Sequence, residues 1–469
     1  MTSATIWDRT RLSITLGSVA LIFLTAVEAL AVTTVMPVVA ADLHGRELFA
    51  LAFSGLLATG VVGMVAAGAW SDRRGPAGPL CAAVMTFMIG LLISGLAPDM
   101  YVFVVGRLVQ GLGEGAQTVA LYVLIARVYP RELHGRIFAA FAAAWVLPGM
   151  AGPFLAGAVA EFLHWRWVFL GVAVLTALAF LLVFARLRGL DLGRSEESDP
   201  APGPRRRTVA GKLVLSMVVA ASTVVAGFAA EMPSVLGWIV AFVCTALIAV
   251  AVRPLLPRGT LRARRGVPSV ILMRGTVSGA FFVSEAYLPR LLIDEFAFSP
   301  TIAGLALTFA ALTWWLGSAA QGRYGDRLGS TRTVLIGVPL LLVGAVVLLL
   351  VSLSQGMPWL VAIAWGISGG GMGLLYPRLT VLTLAYSTPA NEGFNSSALS
   401  ISESTGSAIA IAMAGLAFLT LPFAGSGFAT VFAFAAALLV ISTAAGLRLG
   451  DGIGDRQDGR SRPAAPPGH

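Results

Sequence analysis

The sequence predicts an all-α polytopic membrane protein with fourteen transmembrane helices, and three observations carry that prediction. Only 12% of the 469 residues are charged and 57% are hydrophobic, with a mean hydropathy of +0.86; soluble domains carry about 25% charge. Uncharged stretches long enough to cross a bilayer, about 20 residues each, recur from one end of the chain to the other. Basic residues gather in alternate loops, as topology requires of a multi-pass chain. A soluble enzyme is excluded.

The spans follow in order. Residues 13–36 form the first and carry Glu28. Residues 48–71 and 75–98 contain no charge, and 100–126 carries Arg107 and Glu114. The uncharged runs 137–160, 167–185, 213–230 and 232–252 each read as one helix, and 269–292 carries Arg274 and Glu285. Residues 296–322 are again uncharged. The run 333–377 is too long for one crossing at about 1.5 Å per residue and divides at the turn cluster 352–358. Residues 392–420 carry Glu403, and the turn cluster 421–427 separates them from the last span.

With the N-terminus placed in the cytoplasm, 28 of the 32 Lys and Arg residues fall on inner segments, and only Arg46, Arg166 and Arg290 fall outside. The expected location is therefore the cytoplasmic membrane, with both termini cytoplasmic. The pI near 10.3 follows from these inner loops and calls for no nucleic-acid partner. Cys81 and Cys244 lie in apolar spans without His or Asp at ligand spacing, so neither a disulfide frame nor a metal site is expected. No cleavable leader is expected, because the first apolar stretch has full span length. The segment 449–469, rich in Gly, Pro and charge, reads as a disordered cytoplasmic tail.

An internal repeat is present. Gly68, Asp72, Arg73 and Gly75 recur as Gly322, Asp326, Arg327 and Gly329 at a constant offset of 254. Glu28 and Glu285 precede these loops by 40 and 37 residues, which makes them nearly equivalent in two halves. At these loops, G-x-x-x-D-R-x-G, the chain resembles the major facilitator superfamily. Arg107, Gln110, Gly111 and Gly113 are similar to its R-x-x-Q-G-x-G element. Pro148, Gly152, Pro153 and Gly157 are similar to its antiporter signature, with Pro148 and Ala156 standing where glycine is usual. The resemblance implies two six-helix bundles, 13–186 and 269–448, with an inserted hairpin at 213–252. Cytoplasmic segments at 1–12, 187–212 and 253–268 complete that plan. It also implies proton-coupled export of lipophilic, cationic small molecules, as in fourteen-helix drug:proton antiporters.

A carboxylate at the bilayer centre costs about 2.5–3.5 kcal/mol on insertion scales, so it must find a partner, face a cavity or hold a proton. Glu28, Glu114, Glu285 and Glu403 are the candidates. The pseudo-symmetric Glu28 and Glu285 are expected to exchange protons against cationic substrate; Glu403 is expected to hydrogen-bond to hydroxyls of Ser400, Ser402, Ser404 and Thr405. By the resemblance, Arg107 influences the protonation of a nearby acid, Glu114 standing about two turns away. Asp72, Arg73, Asp326 and Arg327 are expected to latch the halves, with an acid meeting the helix N-terminus near Glu392. Pro148, Gly152, Pro153 and Gly157 permit a kink and close packing where the halves rock, and the glycines at 369–373 read the same way. Phe23, Trp145, Phe281, Phe282, Tyr287, Trp314, Trp315 and Trp365 are candidates for an adaptable apolar pocket.

No nucleotide-binding motif, cofactor motif or nucleophile constellation accompanies these residues, so the proton gradient is the expected energy source, and the expected partners are an amphiphilic substrate, protons and the bilayer. The competing readings are a dedicated exporter of one metabolite or lipid and, in a different class, a membrane receptor or enzyme.

Overall fold

A computed structural model describes residues 12–187, 204–388, 391–446 and 448. The disorder expected for 449–469, and most of the linker at 187–212, lie outside the described residues. Among those described, fourteen helical segments are long and apolar enough to cross a membrane, so the chain is a multi-pass membrane protein.

The first bundle contains α1 (Leu12–Asp42), α2 (Phe49–Arg74), α3 (Ala77–Gly95), α4 (Met100–Val128), α5 (Arg131–Phe162) and α6 (Arg166–Leu187). A hairpin follows, α7 (Pro204–Phe228) and α8 (Ser234–Val252). The second bundle contains α9 (Val267–Asp294), α10 (Pro300–Ser354), α11 (Trp359–Ala385), α12 (Glu392–Thr420) and α13 (Gly427–Gly446). Fourteen crossings are an even number, so α1 starts and α13 ends on one face, the chain-end face; the opposite face is called the far face below.

Helix α10 contains two crossings. In place of the ten-residue loop expected at 323–332, the two helices that make up α10 are joined at Gly329, where φ is +69° and the backbone leaves helical geometry. Gly75 closes α2 with φ +83°. The last glycine of each repeated motif thus supplies the same left-handed backbone, which a side chain resists. That requirement is a physical reason for the sequence repeat.

Small residues set the packing inside each bundle. A Cβ on Gly111 would meet the Leu56 carbonyl of α2, and one on Gly113 would meet the backbone of Phe87 on α3. In the second bundle, Gly369 lies against Ala310 on the first leg of α10, and Gly371 against Gly337 on the second. The glycine run at 369–373 is therefore a helix-packing device.

The bundles meet along α2 with α12 and along α5 with α10. The hairpin lies across the first seam: Ala220 packs with Ala58 of α2 and Ala408 of α12, and Trp238 Nε1 donates to Thr420 Oγ1 at 3.0 Å. Tyr101 of α4 donates to Glu231 beyond α7 at 3.1 Å.

Contacts that close the seams concentrate on the far face. Tyr287 of α9 packs edge-on against Phe49 of α2 at 5.3 Å and, tilted, against Phe418 of α12 at 5.2 Å. The Arg290 guanidinium lies 5.0 Å from the Phe49 ring and 4.5 Å from that of Phe418, and Arg290 Nε donates to Asp294 at 3.2 Å. Arg290 is a buried seal residue, contrary to its expected place in an outer loop. Each cation–ring contact contributes about 0.5–2 kcal/mol. On the other seam, Gly157 faces the Pro300 carbonyl and Gly304 faces that of Pro153, while Thr301 Oγ1 donates to Glu161 at 2.5 Å.

Candidate functional site

The polar residues of α4 recur at helical spacing. Arg107, Gln110, Glu114 and Gln117 form one stripe, which faces Leu21, Thr25 and Glu28 of α1. Glu28 is fully buried and accepts a charge-assisted hydrogen bond from Arg107 Nη1. The same guanidinium donates to Gln110 Oε1 at 2.9 Å and, through Nε, to the Ala52 carbonyl of α2 at 3.2 Å. One arginine therefore ties α1, α2 and α4 together. Gln117 Nε2 donates to Thr25 Oγ1 at 2.9 Å.

The ion-pair partner of Arg107 is thus Glu28, and the pairing with Glu114 considered from sequence does not form. Seven residues separate Arg107 from Glu114, about 10 Å along the helix axis, so a neighbouring helix offers the nearer acid. Glu114 stays within electrostatic range of both Glu28 and Arg107. Four buried polar atoms of this strip have no hydrogen-bond partner among the described residues: Glu28 Oε2, Gln110 Nε2, Glu114 Oε2 and Gln117 Oε1. Such orphans are expensive in an apolar interior and concentrate where a proton, water or ligand is exchanged.

The second bundle carries its own pair. Glu403 Oε2 accepts from Arg274 Nε at 3.1 Å and from Nη2 at 3.0 Å, and the Tyr376 hydroxyl donates to Glu403 Oε1 at 3.1 Å. Arg274 also donates to the Tyr376 carbonyl at 2.9 Å, and its guanidinium lies over the Tyr376 ring. Glu403 was expected to bind neighbouring hydroxyls, but Ser402, Ser404 and Thr405, one or two positions away, do not share its face, and Ser400 is exposed. Ser402 instead donates to the Ile271 carbonyl at 2.7 Å. Arg274 and Arg378, counted as inner basic residues from sequence, are buried in helices, with Arg378 donating to Ser330 at 2.8 Å.

Tyr376→Phe removes the hydroxyl from this charged acceptor. A thermal unfolding scan of the purified protein is expected to show a loss of about 1.5–3 kcal/mol.

Glu285 differs from both pairs. It is partly accessible, on the α9 stripe that also carries Ser278, Phe281 and Phe282, and among the described residues no hydrogen bond or ion pair reaches it. The aromatic candidates divide into separate groups. Phe281 stacks on Trp365 at 4.5 Å and meets Trp314 edge-on at 5.2 Å; Trp314 in turn contacts Tyr376 at 5.5 Å. Tyr287 belongs to the far-face seal, and Trp145 and Trp315 are exposed. Tyr122 of α4, stacked on Phe141 at 6.1 Å, lies within electrostatic range of Glu403 and Tyr376 across the seam.

Asp72, Arg73 and Arg327 are exposed at the chain-end face, and among the described residues no hydrogen bond or ion pair joins them to the opposite bundle. The side chain of Asp326 lies outside the described residues. Among the described residues, the hydrogen bonds and ring contacts that join the two bundles lie in the far half. This is a conformation closed on the far face and unlatched on the other.

Sequence reasoning named Arg107 and the acids; it did not name Gln117, Thr25 or Tyr376, which the structure places beside them, and of these the α4 residue was legible as part of a stripe of period 3.6.

The family model for the Major Facilitator Superfamily matches residues 18–286, more than half of the chain. The chain belongs to the Major Facilitator Superfamily. A probable multidrug-efflux transporter of Mycobacterium tuberculosis is 24% identical over 82% of each chain. A major facilitator-type transporter of the acurin A biosynthesis cluster in Aspergillus aculeatus is 28% identical over 40% of this chain, and the match spans 33% of that protein. The structure of a POT family transporter in complex with a thioalcohol-conjugated peptide superposes with a TM-score of 0.69 at 14% identity, covering 96% of both chains, which shows the shared superfamily fold.

Proposed function

We propose that this superfamily member exports lipophilic, cationic small molecules across the cytoplasmic membrane in exchange for protons, by alternating access, with both termini in the cytoplasm. The observation that carries the reading is the surplus of acid in the membrane interior. Glu28 is balanced by Arg107 and Glu403 by Arg274, whereas Glu114 and Glu285 have no basic partner bonded to them among the described residues. An unpaired carboxylate in such a place is tolerable when it holds a proton, and when it loses the proton it attracts a cation. Proton and cation then compete for one charge, and that competition makes the exchange obligatory. The similarity to a multidrug-efflux transporter supports the substrate class.

The pairs keep distinct roles in this account. Arg107 holds the Glu28 carboxylate in an ion pair, and Glu114 lies within electrostatic range of both partners, so a change of charge at Glu114 acts on the pair. Arg274 and Tyr376 hold Glu403 in place. The loop residues Asp72, Arg73, Asp326 and Arg327 latch the bundles in the alternate state, which opens the far face. Phe281, Phe282 and Trp314 offer ring faces to a cation near Glu285.

Inverted vesicles with an imposed proton gradient are expected to accumulate a fluorescent lipophilic cation when they contain the wild-type chain. Vesicles with equal amounts of Glu285→Gln should lose most of that accumulation, because an amide at this position can neither release a proton nor attract the cation. Equal rates would remove Glu285 from coupling. A second reading, export of one dedicated metabolite, is favoured by the biosynthesis-cluster relative. A panel of unrelated cations separates the two, since a dedicated exporter would move at most one of them.

A further inference from the structure

The connection from α8 to α9 plays no part in the exchange reading, yet it is built with care. Residues 253–266 do not run extended. Arg253–Leu255 and Thr260–Arg262 each form a single helical turn. The Arg262 and Arg264 amides both donate to the Gly259 carbonyl, at 3.1 and 3.2 Å, and Thr260 Oγ1 donates to the Pro257 carbonyl at 2.7 Å. Gly259, Ala263 and Gly266 have φ of +94°, +47° and +88°. The alanine accepts a left-handed backbone that costs roughly 1–2 kcal/mol, so the neighbouring contacts impose this shape. A Cβ on Gly259 would collide with the Arg264 side chain, so the bare glycine is what lets that arginine cross the loop.

These turns surround a concavity of about 350 Å³ whose wall includes Arg253, Arg258, Arg262 and Arg264 together with Leu256 and Leu261. A fifth cation, Arg448, donates to the Arg262 carbonyl at 3.2 Å. Among the described residues, no carboxylate forms an ion pair with any of them. Gly266 then precedes α9, a helix of 28 residues whose N-terminus adds partial positive charge. Topology asks only that basic residues be present in such a loop; it does not require them to share a folded hollow.

We infer that this hollow binds the phosphodiester headgroup of an anionic membrane lipid. The planar guanidinium groups supply paired donors that match phosphate oxygens. The loop joins the ends of two membrane-spanning helices, which places it at the headgroup level. Leu261, 43% exposed in the same wall, has no use for a free ion but gives apolar surface to a glycerol backbone or acyl chain. A bound lipid would fasten the hairpin to α9.

The test is native mass spectrometry of the full-length protein titrated with phosphatidylglycerol or phosphatidylcholine, with inorganic phosphate as competitor. The wild type is expected to retain phosphatidylglycerol in preference to phosphatidylcholine. The triple variant Arg258→Gln, Arg262→Gln, Arg264→Gln should bind phosphatidylglycerol roughly a hundredfold more weakly while keeping the wild-type melting midpoint in phosphatidylcholine. A matching triple lysine variant should recover part of the affinity, because it keeps charge but not the paired donors. Equal retention by wild type and glutamine variant would overturn the inference, as would displacement of the lipid by millimolar phosphate.

Discussion

Replacing Arg107 with methionine is expected to destabilise the purified protein by about 3–5 kcal/mol, the cost of leaving a buried charge without its partner. Glu28 is completely buried, and its carboxylate is held by this guanidinium alone among the described residues. The arginine also satisfies Gln110 and the Ala52 carbonyl, so its loss unties three helices at once. Removing both charges, with Glu28→Gln and Arg107→Gln, is expected to return most of the thermal stability, since neutral amides can bond to one another. That double variant should still fail in gradient-driven export. Recovery of the melting midpoint without recovery of transport separates the structural part of the pair from its part in coupling. Full recovery of both would reduce the pair to a packing device.

Gly304→Leu is expected to abolish export by a different route. Gly304 lies against the Pro153 carbonyl, and nearby Gly157 lies against that of Pro300, so α5 and α10 touch backbone to backbone on the far face. A leucine there cannot be accommodated by moving a flexible side chain, because its neighbour is main chain. Overpacking of this kind costs about 1–3 kcal/mol, enough to shift a two-state equilibrium by roughly tenfold to a hundredfold away from the closed far face. A cysteine introduced at Thr301, in a background lacking Cys81 and Cys244, should react faster with a membrane-impermeant thiol reagent when Gly304→Leu is present. An unchanged labelling rate would show that this seam does not open during transport.

The helix count was legible because apolar length is a property of each segment by itself. So was the two-bundle plan, since the repeat at Gly68–Gly75 and Gly322–Gly329 is a local pattern, and its backbone reason appears as the positive φ of Gly75 and Gly329. What could not be read was which face of one helix meets which face of another. The sequence lets Arg107 pair along its own helix or across to α1, and only the rotation of α4 decides. Glu403 looked saturated by neighbouring hydroxyls, yet helical geometry turns them away and presents Arg274 from α9 instead. The turn at Gly329 was hidden for a related reason: the charged residues at 323–332 read as a loop, yet helix continues up to and away from a single left-handed glycine. Arg290 shows the same limit, since near the end of a span a cation can serve either a loop or a seal.

The most direct measurement is proton release on substrate binding. Purified protein in weakly buffered detergent near neutral pH is mixed with a lipophilic cation, and the change in pH is recorded with a dye. The account predicts that the wild type releases protons in a saturable way and that Glu285→Gln releases fewer while remaining folded. Binding of the cation with no proton release, or with equal release from both proteins, would contradict it.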